Sequence, residues 1–101
     1  MRVTPPQITA IKELAQECFG EGTAVYLFGS RVDDHRRGGD IDLCVETYES
    51  DIARVLDAKI RFLAKLKLRI GDQRIDVVVN YPTRRRPPPI IDVAKRTGIR
   101  L

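Results

Sequence analysis

The fold and the candidate site both depend on residues 26–45, which read YLFGSRVDDHRRGGDIDLCV. An apolar strand pattern ends at Gly29 and Ser30, and a second strand pattern carries Asp40 and Asp42. Alternate residues of a strand lie on the same face, so we expect the two carboxylates to lie roughly 6–7 Å apart at the backbone and to point the same way. Paired carboxylates can share divalent cations, and a Gly-Ser turn can present backbone N–H groups to phosphates. This stretch therefore predicts a metal site beside a phosphate-binding turn.

The segments on either side of the turn show the patterns of one helix and two strands. Apolar residues at helical spacing predict a first helix over residues 6–19, with Thr4 as its N-cap. A continuous apolar run predicts a buried strand at residues 24–28. The next strand is expected to pair with it and to have one apolar and one site-facing side, since Ile41, Leu43 and Val45 alternate with Asp40, Asp42 and Cys44.

Residues 50–68 predict the longest helix, with Ser50 as the N-cap. Its buried face is predicted from apolar positions at helical spacing, namely Ile52, Val55, Leu56, Ile60, Leu63 and Leu66 or Lys67. A third strand follows at RIDVVVN, with Ile75, Val77 and Val79 on one side and Asp76 and Val78 on the other. An aspartate inside such an apolar run is costly unless it has a use, so Asp76 is a third candidate carboxylate.

The last segment begins as an extended connector, because three consecutive prolines cannot enter a helix interior or a central strand. A short helix is predicted to follow, with Pro89 at its start and Gly98 at its end. Its apolar face is predicted from four residues, Ile90, Ile91, Val93 and Ala94.

Composition limits the classes of protein to which the chain can belong. A length of 101 residues predicts a single domain over residues 1–101. No apolar run approaches the roughly 18 residues of a membrane span, and no secretory signal is apparent, so we expect a cytoplasmic protein without a membrane partner. The net charge of +4 favours anionic partners. Cys18 and Cys44 are too few and too far apart for a disulfide framework or a zinc site, and both are predicted to be reduced and buried.

Three segments taken together carry a resemblance to a known family: LFGSR (residues 27–31), GDIDL (39–43) and RIDVV (74–78). The sequence resembles the nucleotidyltransferase superfamily that includes polymerase β. It is most similar to the minimal nucleotidyltransferase (MNT) group, small domains that often act as antitoxins to HEPN-family toxins. The resemblance covers nearly the whole chain. It implies an α+β, polymerase β palm-like fold, with a small mixed sheet of three to four strands and about three to four helices.

The resemblance also implies the roles of individual residues. Asp40, Asp42 and Asp76 would be the catalytic residues and the ligands of Mg²⁺, with Asp76 either a ligand or the base that takes the proton of the attacking hydroxyl. Two such metal ions neutralise a triphosphate and stabilise its leaving group. Hard oxygen ligands and phosphates suit magnesium, and no histidine or cysteine cluster competes for another metal.

The turn is implied to hold the nucleotide donor, which we expect to be ATP. Gly29 and Ser30 would bind its β- and γ-phosphates, and Arg31 would add a cation. Larger nucleotidyltransferases use an additional domain to hold the acceptor, and 101 residues leave no room for one. The leading hypothesis is therefore an antitoxin that forms a hetero-oligomer with a cognate HEPN ribonuclease toxin. It would transfer AMP from ATP to a hydroxyl of the toxin, that of a tyrosine, and so neutralise it.

Two alternative functions follow from other features. The residue before the first aspartate is commonly serine in the family and is Gly39 here. A non-catalytic module of the same fold that neutralises its partner by complex formation is therefore one alternative. The other is a nucleotidyltransferase for small molecules of the aminoglycoside type. The run Arg84, Arg85, Arg86 is interpreted as a solvated loop or as a contact for RNA or an acidic partner, although aromatic residues for stacking bases are sparse.

Overall fold

Four strands form one mixed sheet in the computed structural model, which describes residues 3–29, 40–71, 73–84 and 89–101. The strands are β1 (Ala24–Phe28), β2 (Asp40–Glu46), β3 (Arg74–Asn80) and β4 (Ile99–Arg100). They lie in the order β3-β2-β1-β4. β1 is antiparallel to β2 and to β4, whereas β2 and β3 are parallel. The predicted pairing of the first two strands is confirmed.

Three helices within the described residues complete the α+β fold, namely α1 (Pro5–Phe19), α2 (Ile52–Ile70) and α3 (Pro89–Thr97). α2 lies in the crossover that a parallel pair such as β2 and β3 requires. This architecture confirms the predicted fold class. None of the described helices is long and apolar enough to cross a membrane.

α1 begins as its sequence predicts. The Thr4 hydroxyl accepts a hydrogen bond from the Gln7 backbone N–H at 3.3 Å, and the Gln7 side-chain oxygen accepts one from the Thr4 N–H at 3.0 Å. This reciprocal capping box satisfies two backbone donors at the start of the helix. Thr4 is therefore confirmed as the N-cap, and the helix begins one residue earlier than predicted, at Pro5.

α2 differs from the prediction at its start. Its N-cap is Asp51, whose Oδ1 accepts a hydrogen bond from the Ala53 N–H at 2.9 Å, so the assignment of Ser50 was wrong. Serine and aspartate are nearly equal N-caps, and local sequence does not separate two adjacent candidates. The Ser50 carbonyl instead accepts a hydrogen bond from the Thr83 hydroxyl at 2.9 Å. This bond ties the start of α2 to the loop after β3.

The buried face of α2 is also rotated from the predicted one. Val55 and Leu66 are buried as predicted, whereas three predicted core residues are more than half exposed, namely Ile52, Leu56 and Ile60. Ala58 and Phe62 are buried instead, and the Phe62 ring meets the Phe19 ring edge to face at 5.6 Å between centroids. The helix carries more apolar residues than the sheet and α1 together cover. Contact with α1 decides which of them lie inside.

Helices cover both faces of the sheet. The inward residues of β2 are fully buried in the core that includes α1 and α2, namely Ile41, Leu43 and Val45. On the other face, Ile91 and Ala94 of α3 pack against Cys44. We had predicted that this side of β2 faces the site along its length, but α3 covers it at Cys44. Cys18 and Cys44 are free and buried, as predicted, and burial raises the pKa of both thiols.

The chain ends in a strand that its sequence did not predict. α3 begins at Pro89 and ends just before Gly98, as predicted, and the Gly98 N–H donates to the Ala94 carbonyl at 2.8 Å. Two residues of its predicted apolar face, Ile90 and Val93, are each 40% exposed. β4 follows directly and pairs with β1. Two residues are too few to show an alternating pattern, so local sequence could not indicate this strand.

Candidate active site

Three distant segments meet at one end of the sheet. In the antiparallel pair, Asp42 of β2 lies opposite Phe28, the last residue of β1. In the parallel pair, Asp42 lies in register with Asp76 of β3. Gly29 follows Phe28 directly, so the first residue of the predicted turn and two of the predicted carboxylates come together here.

Asp42 and Asp76 are neighbours across the β2–β3 pair. Adjacent strands lie about 4.8 Å apart, and residues in register project from the same face. Asp42 is half-buried and Asp76 is exposed. The pair supplies hard oxygen donors of the kind that Mg²⁺ prefers, so these two residues fit a magnesium ion.

Gly29 is required at this position for two reasons. Its φ of +76° lies in the left-handed region that favours glycine. A β-carbon on Gly29 would also overlap Oδ2 of Asp42 and lie only 3.0 Å from its Cγ. The Asp42 carboxylate therefore rests directly against the backbone of the turn. The sequence had indicated Gly29 only as a phosphate-binding residue, and this second role depends on the strand register, which no local pattern reveals.

The remaining predicted site residues are described less fully. Asp40 is the first residue of β2, and its backbone lies in register with Arg74. The structure describes the backbone of Asp40 but not its side chain. Ser30, Arg31 and Gly39 lie outside the described residues. Within the described part of the chain, no three His, Cys, Asp or Glu side chains are grouped to hold a metal ion. The described site therefore consists of Gly29, Asp42 and Asp76, and the roles of all six predicted residues remain predictions.

Arg84 lies away from this site. It follows the far end of β3, where its Nη1 donates to the Val79 carbonyl at 2.8 Å and its guanidinium lies 5.6 Å from the centre of the Tyr81 ring. Arg84 is thus held in one place rather than being a freely solvated side chain. Arg85 and Arg86 lie outside the described residues.

Comparison with known families agrees with this geometry. The family model of the nucleotidyltransferase domain matches residues 8–100, which extend from α1 to β4. The match includes the turn and all three predicted carboxylates. No curated protein matches the chain at a significant level.

Proposed function

Since this chain belongs to the nucleotidyltransferase domain family, we propose that it transfers AMP from ATP to a hydroxyl group of a partner protein. The observation that carries the proposal is the pairing of Asp42 and Asp76 in register, with Gly29 against the Asp42 carboxylate. Domains of this family generally use a nucleoside triphosphate and a divalent metal ion. We take the donor to be ATP and the metal to be Mg²⁺, because carboxylate and phosphate oxygens are its usual ligands.

The reaction is an in-line displacement at the α-phosphorus of ATP. The acceptor oxygen forms a new bond to this phosphorus, the bond to the β-phosphate breaks, and pyrophosphate leaves. When bound, Mg²⁺ neutralises the triphosphate and stabilises the leaving group. Asp42 and Asp76, with Asp40, would hold the metal. Asp76 is exposed and is the carboxylate we assign to accept the proton of the attacking hydroxyl.

The acceptor is proposed to be a tyrosine hydroxyl of a cognate HEPN ribonuclease toxin, which the modification would neutralise. The resemblance to the minimal nucleotidyltransferase group supports this assignment. An exposed Asp76 is consistent with an acceptor presented by another protein.

The experiment is an adenylylation assay with the protein encoded by the adjacent gene. The partner is incubated with this protein, Mg²⁺ and ATP, and its mass is measured. We expect the mass of one or more AMP groups to be added. The variants Asp42→Asn and Asp76→Asn should reduce the rate by about a hundredfold or more, because each removes a carboxylate that would hold the metal ion or, for Asp76, accept the proton. Asp57→Asn is the control, because Asp57 lies on α2 and is paired with Arg61 at 3.0 Å.

Three results would overturn or replace this proposal. Absence of any added mass would contradict AMP transfer to the partner, and undiminished transfer by Asp42→Asn would contradict the assigned site. Full protection of cells by both aspartate variants would show that chemistry is not needed. The function would then be that of a non-catalytic module that neutralises its partner by binding.

A further inference from the structure

A pocket lies at the opposite end of the sheet face that carries the candidate active site. It is a partly open pocket of about 410 Å³ beyond the carboxyl ends of β2 and β3. Its floor is a row of three residues in register across the strands, namely Ala24, Glu46 and Asn80. The small side chain of Ala24 leaves space in this row. The volume falls in the range of pockets that bind small molecules, about 300–1,000 Å³.

The pocket is separate from the candidate active site. Glu46 follows Asp42 by four residues on β2, which corresponds to about 13 Å at about 3.3 Å per residue. Between them lies Cys44, which is fully buried beneath Ile91 and Ala94 of α3. α3 therefore crosses the sheet between the two sites.

Tyrosines form much of the pocket wall. Tyr48 is 79% exposed, so most of its ring is open to solvent. One side of the ring rests against Gly22, where a β-carbon would lie 3.1 Å from Cε2 of Tyr48. Tyr26 and Tyr81 line the same pocket. A tyrosine ring supported on one side and open on the other is a surface on which a planar base can stack.

Two arginines give the pocket its positive charge. Arg84 is fixed by the Val79 carbonyl and by the Tyr81 ring. Arg100 lies in register with Tyr26, is exposed, and has no acidic partner among the described residues. Glu46 is the pocket's acidic residue, and its carboxylate is paired with Lys95 at 2.9 Å. The Arg100 guanidinium is therefore left to attract an anion, and arginine suits phosphate because it donates two parallel hydrogen bonds.

The floor can in turn recognise the edge of a base. Glu46 and Asn80 are neighbours in register, with the Glu46 carboxylate an acceptor and the Asn80 amide both a donor and an acceptor. Carboxylate and amide groups are those that bind the amino-bearing edges of bases. Thr47 fixes the strand ends that form the pocket. Its hydroxyl donates to the Phe19 carbonyl at 3.2 Å, and its N–H donates to the Asn80 carbonyl at 3.1 Å.

We propose that this pocket binds a nucleotide, with the base stacked on Tyr48 over Glu46 and Asn80 and the phosphate at Arg100. The proposal stands apart from the proposed transferase function, because it uses none of the residues of that site. It requires no metal ion.

The test measures the binding of AMP by calorimetry in the presence of EDTA. We expect the wild-type protein to bind AMP with a Kd below about 1 mM. Tyr48→Ala should weaken binding about tenfold through loss of stacking. Arg100→Ala should weaken it by a similar factor, about tenfold, through loss of a charge-assisted bond. Both side chains are exposed, so neither change threatens the fold. Two matched controls should leave the affinity unchanged, namely Arg54→Ala on α2 and Asp42→Asn in the candidate active site.

Each alternative result has a definite meaning. Absence of AMP binding to the wild-type protein would overturn the proposal, as would full affinity in both Tyr48→Ala and Arg100→Ala. A loss of affinity in Asp42→Asn but not in Arg100→Ala would place AMP at the candidate active site and would also overturn it. If Arg54→Ala weakened AMP binding as much as Arg100→Ala does, the binding would reflect the general positive charge of the protein and not a specific site, and the proposal would be overturned.

Discussion

At the scale of single residues, the candidate site depends most directly on Gly29. Its backbone conformation and its lack of a side chain both matter, because the Asp42 carboxylate occupies the place of a β-carbon. Gly71 also has a positive φ, of +101°, but a β-carbon there would meet nothing within 4 Å. A substitution at Gly71 therefore introduces backbone strain alone, whereas a substitution at Gly29 adds a clash with the Asp42 carboxylate.

We predict that Gly29→Ala abolishes nucleotidyl transfer, whereas Gly71→Ala does not. Each substitution should lower the free energy of unfolding by about 1–3 kcal/mol through backbone strain. Gly29→Ala should also displace Asp42 from its place beside Asp76. Denaturant unfolding and the adenylylation assay measure the two effects. Retention of full activity by Gly29→Ala would contradict the assigned role of the Asp42 position.

At the scale of secondary structure elements, α2 shows most clearly where sequence patterns stop being sufficient. Its apolar residues predict a helix correctly, but they cover too much of its circumference to indicate one buried face. Leu66 is fully buried, whereas Leu68, two residues later, is 88% exposed. The two leucines are chemically identical and belong to the same helix, so only their packing differs.

We predict that Leu66→Ala lowers the free energy of unfolding by about 2–5 kcal/mol, since it leaves a cavity in the core. Leu68→Ala should change it by less than about 0.5 kcal/mol, because the side chain is already in water. Chemical denaturation of both variants measures the difference. Equal destabilisation by the two substitutions would show that the observed rotation of α2 is incorrect.

At the scale of the whole molecule, the C-terminal segment completes the sheet and covers one of its faces. Gly98 joins α3 to β4 and lies against β1, where a β-carbon would be 2.7 Å from the Leu27 carbonyl oxygen. The Leu101 N–H also donates to the Val25 carbonyl at 2.9 Å. The last residues of the chain are thus bound to its first strand.

We predict that Gly98→Ala detaches β4 from β1, because the clash involves backbone atoms that cannot rotate away. The free energy of unfolding should fall by about 1–3 kcal/mol, which is typical of overpacking. Hydrogen exchange should become faster at Ile99 and Leu101. The control is Arg96→Ala, which changes an exposed side chain of the same segment. Unchanged protection of these amides in Gly98→Ala would contradict the close approach.

The sequence by itself determined the helices and the three longer strands of this protein, because apolar periodicity and helix-capping residues act over a few neighbouring positions. It also indicated the turn and the aspartates as candidate ligands, because their residue types and spacing are local features. The tertiary structure alone decided which face of α2 is buried, that β4 exists, and that Asp42 lies between Gly29 and Asp76. It also decided that Tyr48, Glu46, Asn80 and Arg100 share one pocket. These features depend on contacts between residues that are far apart in the chain, and the strand register and helix rotation that create them are set by packing of the whole core.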